Sequence, residues 1–355
     1  DRWLVAAGAA AGDTIDLGND VLRDTLLERL RGRPEASRAI HERLATAMRG
    51  FAAEHHATFD DEVLAYHFQQ AGRSLESRRH YIKAAERATE ALAFSHAASL
   101  YDKALNSAWN ESSDHQLREQ RAESLADAGR SEDAAREYLS VAETAEFPRC
   151  LELRRKAVLQ LVFSRNPQAG QDVLAQVLQG VGLHLPRAQR DVVVPLVALR
   201  LASRVRGYEF RRRSPETLPP IDLAKIDACW TAVMGLTSLD LIRAWYFHKI
   251  GLRLSLKAGE PSRVVRTLAN EVAYIATAGS RSQRRADALL KKTSRLAKSL
   301  QDPSARGTVA LMAGIAAFLQ GRWRNAQRFC EAGESILRHG CVGKGWEIGT
   351  ALTFR

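Results

Sequence analysis

The sequence predicts an all-α protein, a solenoid built from antiparallel helix pairs. Three observations carry that prediction. Apolar or small residues recur at steps of three and four, as at Tyr81, Ala84, Ala85, Ala88, Ala97, Ala98, Tyr101, Ala104 and Leu105, which gives each helix one buried face. Turn signals punctuate the chain at Ala71-Gly72, Asp127-Ala128-Gly129, Arg165-Asn166-Pro167, Gly259-Glu260-Pro261, Ala278-Gly279-Ser280, Asp302-Pro303 and Gln320-Gly321, and helices joined by such short turns fold back as antiparallel neighbours. Small residues expected on the second helix of successive pairs, Ala97, Ala134 and Gly170, lie 37 and 36 positions apart.

Composition agrees. Hydrophobic residues are 45% and charged residues 26% of the 355, a balance that lets the chain bury a substantial core. Aromatics are only 7%, and Ala, Leu, Arg and Glu dominate, which favours helices over sheets. No alternating stretch suggests more than a short strand.

Taken in order, residues 1–50 form a distinct start. A Gly- and Ala-rich stretch leads through Asp13–Leu17 into a helix over Val21–Leu30; Arg31-Gly32-Arg33-Pro34 punctuates, and Ala36–Phe51 is a second helix. Residues 51–183 carry the first repeat block, with units around Ala85, Ala97, Tyr101 and Ala104, then Ala122, Gly129, Ala134 and Tyr138, then Val158, Gly170 and Leu174. The repeat step is close to the roughly 34 residues of tetratricopeptide units. Residues 184–222 break the pattern: Arg204, Arg206, Arg211, Arg212 and Arg213 flank Gly207-Tyr208-Glu209-Phe210, and Pro215, Pro219 and Pro220 follow, so an irregular basic linker containing a helix is expected there. Residues 223–355 form a second helical-repeat block, with overlapping frames at Leu239–Ala278 and Val265–Leu300. Its clearest unit is Thr308–Arg338. Small residues at Gly314 and Ala326 should let two backbones approach closely, while Trp323 and Phe329 should fill the space to the next unit.

The formal charge is +11, spread along the chain as a solvated basic surface. The Ala-rich stretch Ala6–Ala11 has no basic flank and is followed by Asp13 and Asp16, so it is not a signal peptide. The longest apolar run, Val192–Leu199, is interrupted by Pro195 and falls short of the roughly 20 residues a bilayer needs. Cys150, Cys229, Cys330 and Cys341 form no CxxC pair and are expected as small apolar core residues in a reducing, cytoplasmic protein. The chain lacks an initiator Met, and Thr350–Arg355 ends inside an apolar-periodic segment, so a piece of a longer protein is expected.

Catalytic patterns are not found. There is no GxxxxGK[ST] phosphate loop, no HRD or DFG, and no GxSxG elbow. His55 and His56 are adjacent and diverge by about 100° on a helix, which does not suit one metal ion. The expected chemistry is binding. In tetratricopeptide units the first helices line the inner groove; with Ala85 and Ala122 as their small positions, Glu86, Glu90, Glu119, Glu123 and Asp127 turn toward that groove and would favour a basic segment. The basic residues Arg204, Arg206, Arg211, Arg212 and Arg213, with Tyr208 and Phe210 between, are a candidate contact patch for phosphate or bases, and Arg281, Arg284, Arg285, Lys291, Lys292, Arg295 and Lys298 form a second cluster; the plainer reading is a solvated face with salt bridges, with an acidic protein or neighbouring domain favoured over nucleic acid as a partner.

Several stretches resemble a known architecture. Asp16–Leu30 with His41-Glu42-Arg43-Leu44-Ala45 resembles the closing winged-helix segment of signal-transduction ATPases with numerous domains, with Asn19 standing where that family commonly carries histidine. LAYHFQQAG and YIKAAERATEALAFSHAASLYDKAL resemble its entry tetratricopeptide repeats. VLQGVGLHLPR, YEFRRRSPETLPPIDLAKIDACW, KAGEPSRVVRTLANEVAYIATAG, QGRWRNAQRF and CVGKGWEIGTA resemble the helical-repeat tails of large bacterial serine/threonine kinases fused to an AAA-type ATPase module. The resemblance implies a non-catalytic sensor or docking scaffold. It would regulate an attached ATPase and kinase, its partners would include those neighbouring domains, and ATP and Mg would bind only in modules outside this chain. The other reading is the ligand-sensing arm of an ATP-dependent transcription regulator.

Overall fold

The computed structural model describes residues 4–6, 15–17, 20–55, 60–107, 111–162, 164, 166–341 and 345–355. The chain folds as two compact units, residues 1–124 and 125–355. The boundaries expected at 183 and 222 both fall inside the second unit.

The first unit opens with two short antiparallel strands, β1 (Leu4–Ala6) and β2 (Ile15–Leu17), with Val5 opposite Asp16. Helices α1 (Asp20–Arg31) and α2 (Pro34–His55) follow, then α3 (Asp61–Gln70), α4 (Ser74–Glu90), α5 (Phe94–Ser107) and α6 (Glu111–Asp127). The division between units falls inside α6. The second unit continues with α7 (Ser131–Thr144), α8 (Arg149–Val162), α9 (Pro167–Gly180), α10 (Arg190–Arg206), α11 (Pro220–Leu236), α12 (Leu241–Ala258), α13 (Pro261–Ala276), α14 (Gln283–Leu300), α15 (Pro303–Leu319), α16 (Trp323–Gly340) and α17 (Gly345–Thr353). The protein is an all-α solenoid; within each unit most consecutive helices pack on one another, as α3 on α4, α4 on α5, α8 on α9 and α15 on α16. Asn19, His56 and Arg165, which bear on the sequence reading, lie outside the described residues.

Local chemistry sets the helix ends. Asn166, Glu260 and Asp302 each precede a proline and accept from backbone N–H groups of the following first turn, Glu260 from both Ser262 and Arg263. A capping acceptor followed by proline at the first helical position is a strong start signal. Five turns end on the same bond pattern: Arg73 N to Phe68 O, Ala93 N to Ala88 O, Arg130 N to Leu125 O, Leu183 N to Leu178 O and Arg322 N to Ala317 O, all 2.8–2.9 Å. Each wraps a left-handed residue: Gly72, Leu92, Gly129, Gly182 or Gly321, with φ between 60° and 76°. This closure satisfies helix carbonyls that would otherwise be orphaned, and it reverses the chain within three residues.

Close approach between paired helices relies on small side chains. Ala85 on α4 and Ala97 on α5 are fully buried. A Cβ added at Gly170 on α9 would lie 2.8 Å from Val162 Cγ2 and 2.9 Å from Val162 N. On α15 a Cβ at Gly314 would fall on Cys330 Sγ, and across the interface a Cβ at Gly333 would come 3.0 Å from Leu311 N. Trp323 does not do the filling expected of it. It is 61% exposed and meets Phe318 edge-on, while Cys330 and Leu337 occupy the α15–α16 interface and Phe329 lies near the surface. Trp323 is the first residue of its helix, where its side chain lies beside the turn rather than within the packed face.

Residues 207–213, expected as part of an irregular linker, are strapped to the second unit. Tyr208 and Phe210 pack on the core formed by α12, α13, α14 and α15. Arg213 N donates to Gly259 O, and Gly259 is left-handed with the Arg211 carbonyl where a Cβ would stand. Among the described residues no helix is long and apolar enough to cross a membrane.

The glycines supply a paired test. Gly314→Ala should lower unfolding stability by about 1–3 kcal/mol through overpacking. Gly349→Ala, on α17 with no atom within 4 Å of the new methyl, should raise it by about 0.5–1 kcal/mol through helix propensity. Urea denaturation followed by circular dichroism checks the opposite signs.

Candidate functional site

The acidic residues predicted to face the first-helix groove divide by burial. Glu86 and Glu90 on α4 and Glu123 and Asp127 on α6 are exposed, whereas Glu119 is buried. Glu86 and Glu123 both act on the Tyr101 hydroxyl: burial, then these two charges, push its pKa up against a hydrogen bond with Thr89. Two of the five are thus brought to one side chain. A buried ion pair between Arg78 and Asp114 ties α4 to α6 beside them. The structure also joins two histidines of separate helices, α2 and α3. His41 Nδ1 and His67 Nδ1 are 2.8 Å from each other, and burial followed by His41's charge holds His67 below its ordinary pKa. Among the described residues no group of three or more His, Cys, Asp or Glu side chains is arranged to hold a metal ion.

In the second unit the first-helix side carries an arginine cluster on one carboxylate. Asp227 on α11 receives Arg263 Nη2 at 2.6 Å and Arg266 Nη2 at 2.5 Å from α13, with Arg155 Nη1 of α8 at 3.8 Å. Arg155 also donates to Thr231 Oγ1, and Arg266 stacks 5.0 Å from the Trp230 ring. Burial alone would raise the Asp227 pKa, but the charges of Arg266, Arg155 and Arg263 outweigh it and hold the carboxyl at about 2. Arg266 Nε is buried without an acceptor. These residues line a cavity of about 360 Å³ between α8, α11, α13 and the start of α15.

A second site lies where the 190–213 segment meets α12 and α13. Glu271 on α13 is almost completely buried and accepts from Lys249 Nζ at 2.7 Å with both oxygens, from His248 Nε2 at 2.8 Å and from Tyr208 Oη at 2.9 Å. Asn270 Nδ2 lies 3.2 Å from His248 Nδ1. An amide nitrogen only donates, so Nδ1 accepts and the proton sits on Nε2. Burial pushes His248 below its ordinary pKa, against the hydrogen bond and charge of Glu271. Burial would push Glu271 up, yet the hydrogen bonds and charges of His248 and Lys249 hold it at about 2. From His248 outward, four flat groups stack in series. Arg200 sits 4.3 Å over Trp245, Trp245 lies 5.4 Å from Tyr274, and Tyr274 lies 4.6 Å from His248. A cavity of about 250 Å³ opens against this wall.

The predicted basic patch does not form one surface. Arg204 lines this cavity, and Arg206 lines a separate cleft between α10 and α12. Arg211 and Arg213 meet Gly259 through their backbones, and Arg212 donates to Ser299 Oγ on α14. From the second cluster, Arg281 and Arg285 reach the cavity, while Lys292 bonds Tyr208 O and Glu209. Arg200, Trp245, Lys249 and Glu271 were missed in the sequence. The usable signal was Glu271 itself, the one acid in the largely apolar stretch Val264–Ile275, with His248-Lys249 in a similar setting.

The 184–222 segment also bears an apolar surface. Helix α10 buries Val192 and Leu196 but leaves Val194, Val197, Leu201 and Val205 exposed along one face, Val205 by 91%. No protein-family profile matches the chain, and no curated protein sequence matches it.

The two carboxylates can be tested separately. Glu271→Gln strands the buried Lys249 ammonium and should cost about 3–5 kcal/mol, read as a lower urea midpoint. Asp227 binds its proton more weakly in the fold than in the unfolded chain, where its pKa is about 3.9. Its contribution, roughly 2 kcal/mol, is therefore present above pH 4 and lost as pH falls through about 2. In Arg266→Gln the acid loss should begin at higher pH, which a urea-midpoint profile against pH will show.

Proposed function

We propose that this chain is a non-catalytic interaction and sensor module. It holds neighbouring domains of a larger bacterial signalling protein, a serine/threonine kinase with an attached ATPase module, in the cytoplasm. The observation that carries this is the α10 face. Val194, Val197, Leu201 and Val205 lie exposed at helical spacing, flanked by Arg200 and Arg204 on the same helix. Aliphatic side chains in a row lose free energy to water unless something covers them, and contiguous patches of this kind mark protein contacts. The occupant that fits is an amphipathic helix with an acidic rim. The solenoid supports the reading by offering consecutive helix faces with polar clusters, among them Glu86 and Glu123 at Tyr101 and the arginines around Asp227. The residues resembling entry tetratricopeptide repeats fall on α3, α4 and α5, and the winged-helix resemblance falls on β2, α1 and α2. ATP and Mg belong, on this reading, to the modules outside the chain.

The test uses the domains encoded on either side of this stretch, purified and titrated against it. Val197→Glu with Leu201→Glu should weaken their binding at least tenfold, with helical content unchanged. Equal affinity for wild type and variant sinks the reading. So does concentration-dependent self-association that the variant abolishes, because the surface would then serve a second copy. A helix-turn-helix encoded downstream, with no kinase upstream, would replace the kinase context by that of a transcription regulator.

A further inference from the structure

The cavity between α10, α12, α13 and the start of α14 has an unbalanced lining. Arg200 and Arg204 enter from α10, Lys249 from α12, and Arg281 and Arg285 from the turn into α14, against one acid, Glu271. That acid is already committed, since it accepts from Lys249, His248 and Tyr208. The four guanidinium groups have no such compensation. Arg200 rests on the Trp245 ring, and Arg285 donates to the Tyr208 hydroxyl at 3.2 Å. None of the four has a carboxylate of a described residue within 4.0 Å. Arg200 and Arg285 are close enough to Lys249 to disfavour its charged form, so the cations repel one another across the opening. Trp245 lines the same cavity, and its Nε1–H is buried without an acceptor.

Like charges are not gathered around a recess for stability, because each raises the energy of the next. A multiply charged anion rich in acceptor oxygens would relieve the repulsion. It would also give the arginine forks the geometry they match best, parallel N–H···O bonds to one phosphoryl group. Trp245 already stacks with Arg200 and with Tyr274, so the recognised part of the ligand is its charge rather than a stacked ring.

We propose that this cavity binds a diphosphate group, held between Arg200 and Arg204 on one side and Arg281 and Arg285 on the other. The site goes beyond the interaction reading above, since it requires only residues of this unit and no protein partner.

The probes are inorganic pyrophosphate, ADP as its esterified form, and tricarballylate as a carboxylate of comparable charge, each titrated calorimetrically into the full chain at low salt. Pyrophosphate or ADP should bind one to one. Arg204→Gln or Arg281→Gln should each weaken binding about tenfold or more, and the pair together about a hundredfold. Arg295→Gln, on the exposed face of α14 and outside the cavity lining, should change nothing. Arg204 and Arg281 are exposed, so both variants should melt like wild type. Binding of pyrophosphate alone supports a free diphosphate, and binding of ADP as well supports a nucleotide or similar ester. If neither binds, if tricarballylate binds as tightly as pyrophosphate, or if the double variant retains wild-type affinity, the proposal is overturned.

Discussion

Helix backbones in this protein approach one another where side chains are reduced to a methyl group or a hydrogen. Ala85 meets the α4–α5 interface twelve residues before Ala97 does so from the other side, and Val158 and Gly170, and Gly314 and Ala326, keep the same interval. At Gly170 and Gly314 the space is so complete that an added Cβ would contact a backbone nitrogen at 2.9 Å or 3.2 Å. The turn between is set by the same demand. A left-handed residue at Leu92, Gly129 or Gly321 reverses the chain in three residues, which holds the partner helix at the register the small residues need. Larger apolar residues then fill the layers around these contacts, with Tyr81, Leu100, Leu153, Leu174 and Leu311 fully buried.

Charge is organised differently in the two buried clusters. At Glu271 one carboxylate serves an ammonium, an imidazole and a phenol, and both of its oxygens have donors. At Asp227 three arginines share one carboxylate, and Arg266 Nε remains without an acceptor. Neither arrangement is an efficient way to stabilise a fold, because removing ions from water costs nearly as much as their attraction returns. Their effect is geometric. Glu271 fixes α12, α13 and the Tyr208 strap in one relative position, and Asp227 does the same for α8, α11 and α13.

The 190–213 segment illustrates what a linker-like composition conceals. Its arginines and prolines interrupt the repeat grammar, yet Tyr208 is anchored on Glu271 and Phe210 on the core. The anchored strap leaves α10 with one packed face and one aliphatic face in solvent. It also brings Arg200 and Arg204 beside Arg281 and Arg285, across some 80 residues of chain. The interaction surface and the cationic cavity therefore share one helix.

The helical class, most of the turns and the pairing around Ala85–Ala97 and Gly314–Ala326 were legible in the order of residues, whereas the frames at Leu239–Ala278 and Val265–Leu300 overlapped. These are local matters: apolar spacing, a capping acceptor before proline, glycine where φ must be positive, and small residues at a fixed interval. The same reading put Glu86 and Glu123 on first helices, with the small positions Ala85 and Ala122 as reference. Which charges meet was settled by packing alone. The five arginines grouped by sequence at 204–213 disperse to different surroundings, Trp323 lies outside the interface assigned to it, and His41 and His67 come together from separate helices. The physical reason is that periodicity fixes which face of a helix is buried but not which helix lies against it. Sites made by residues far apart in the chain depend on that second choice.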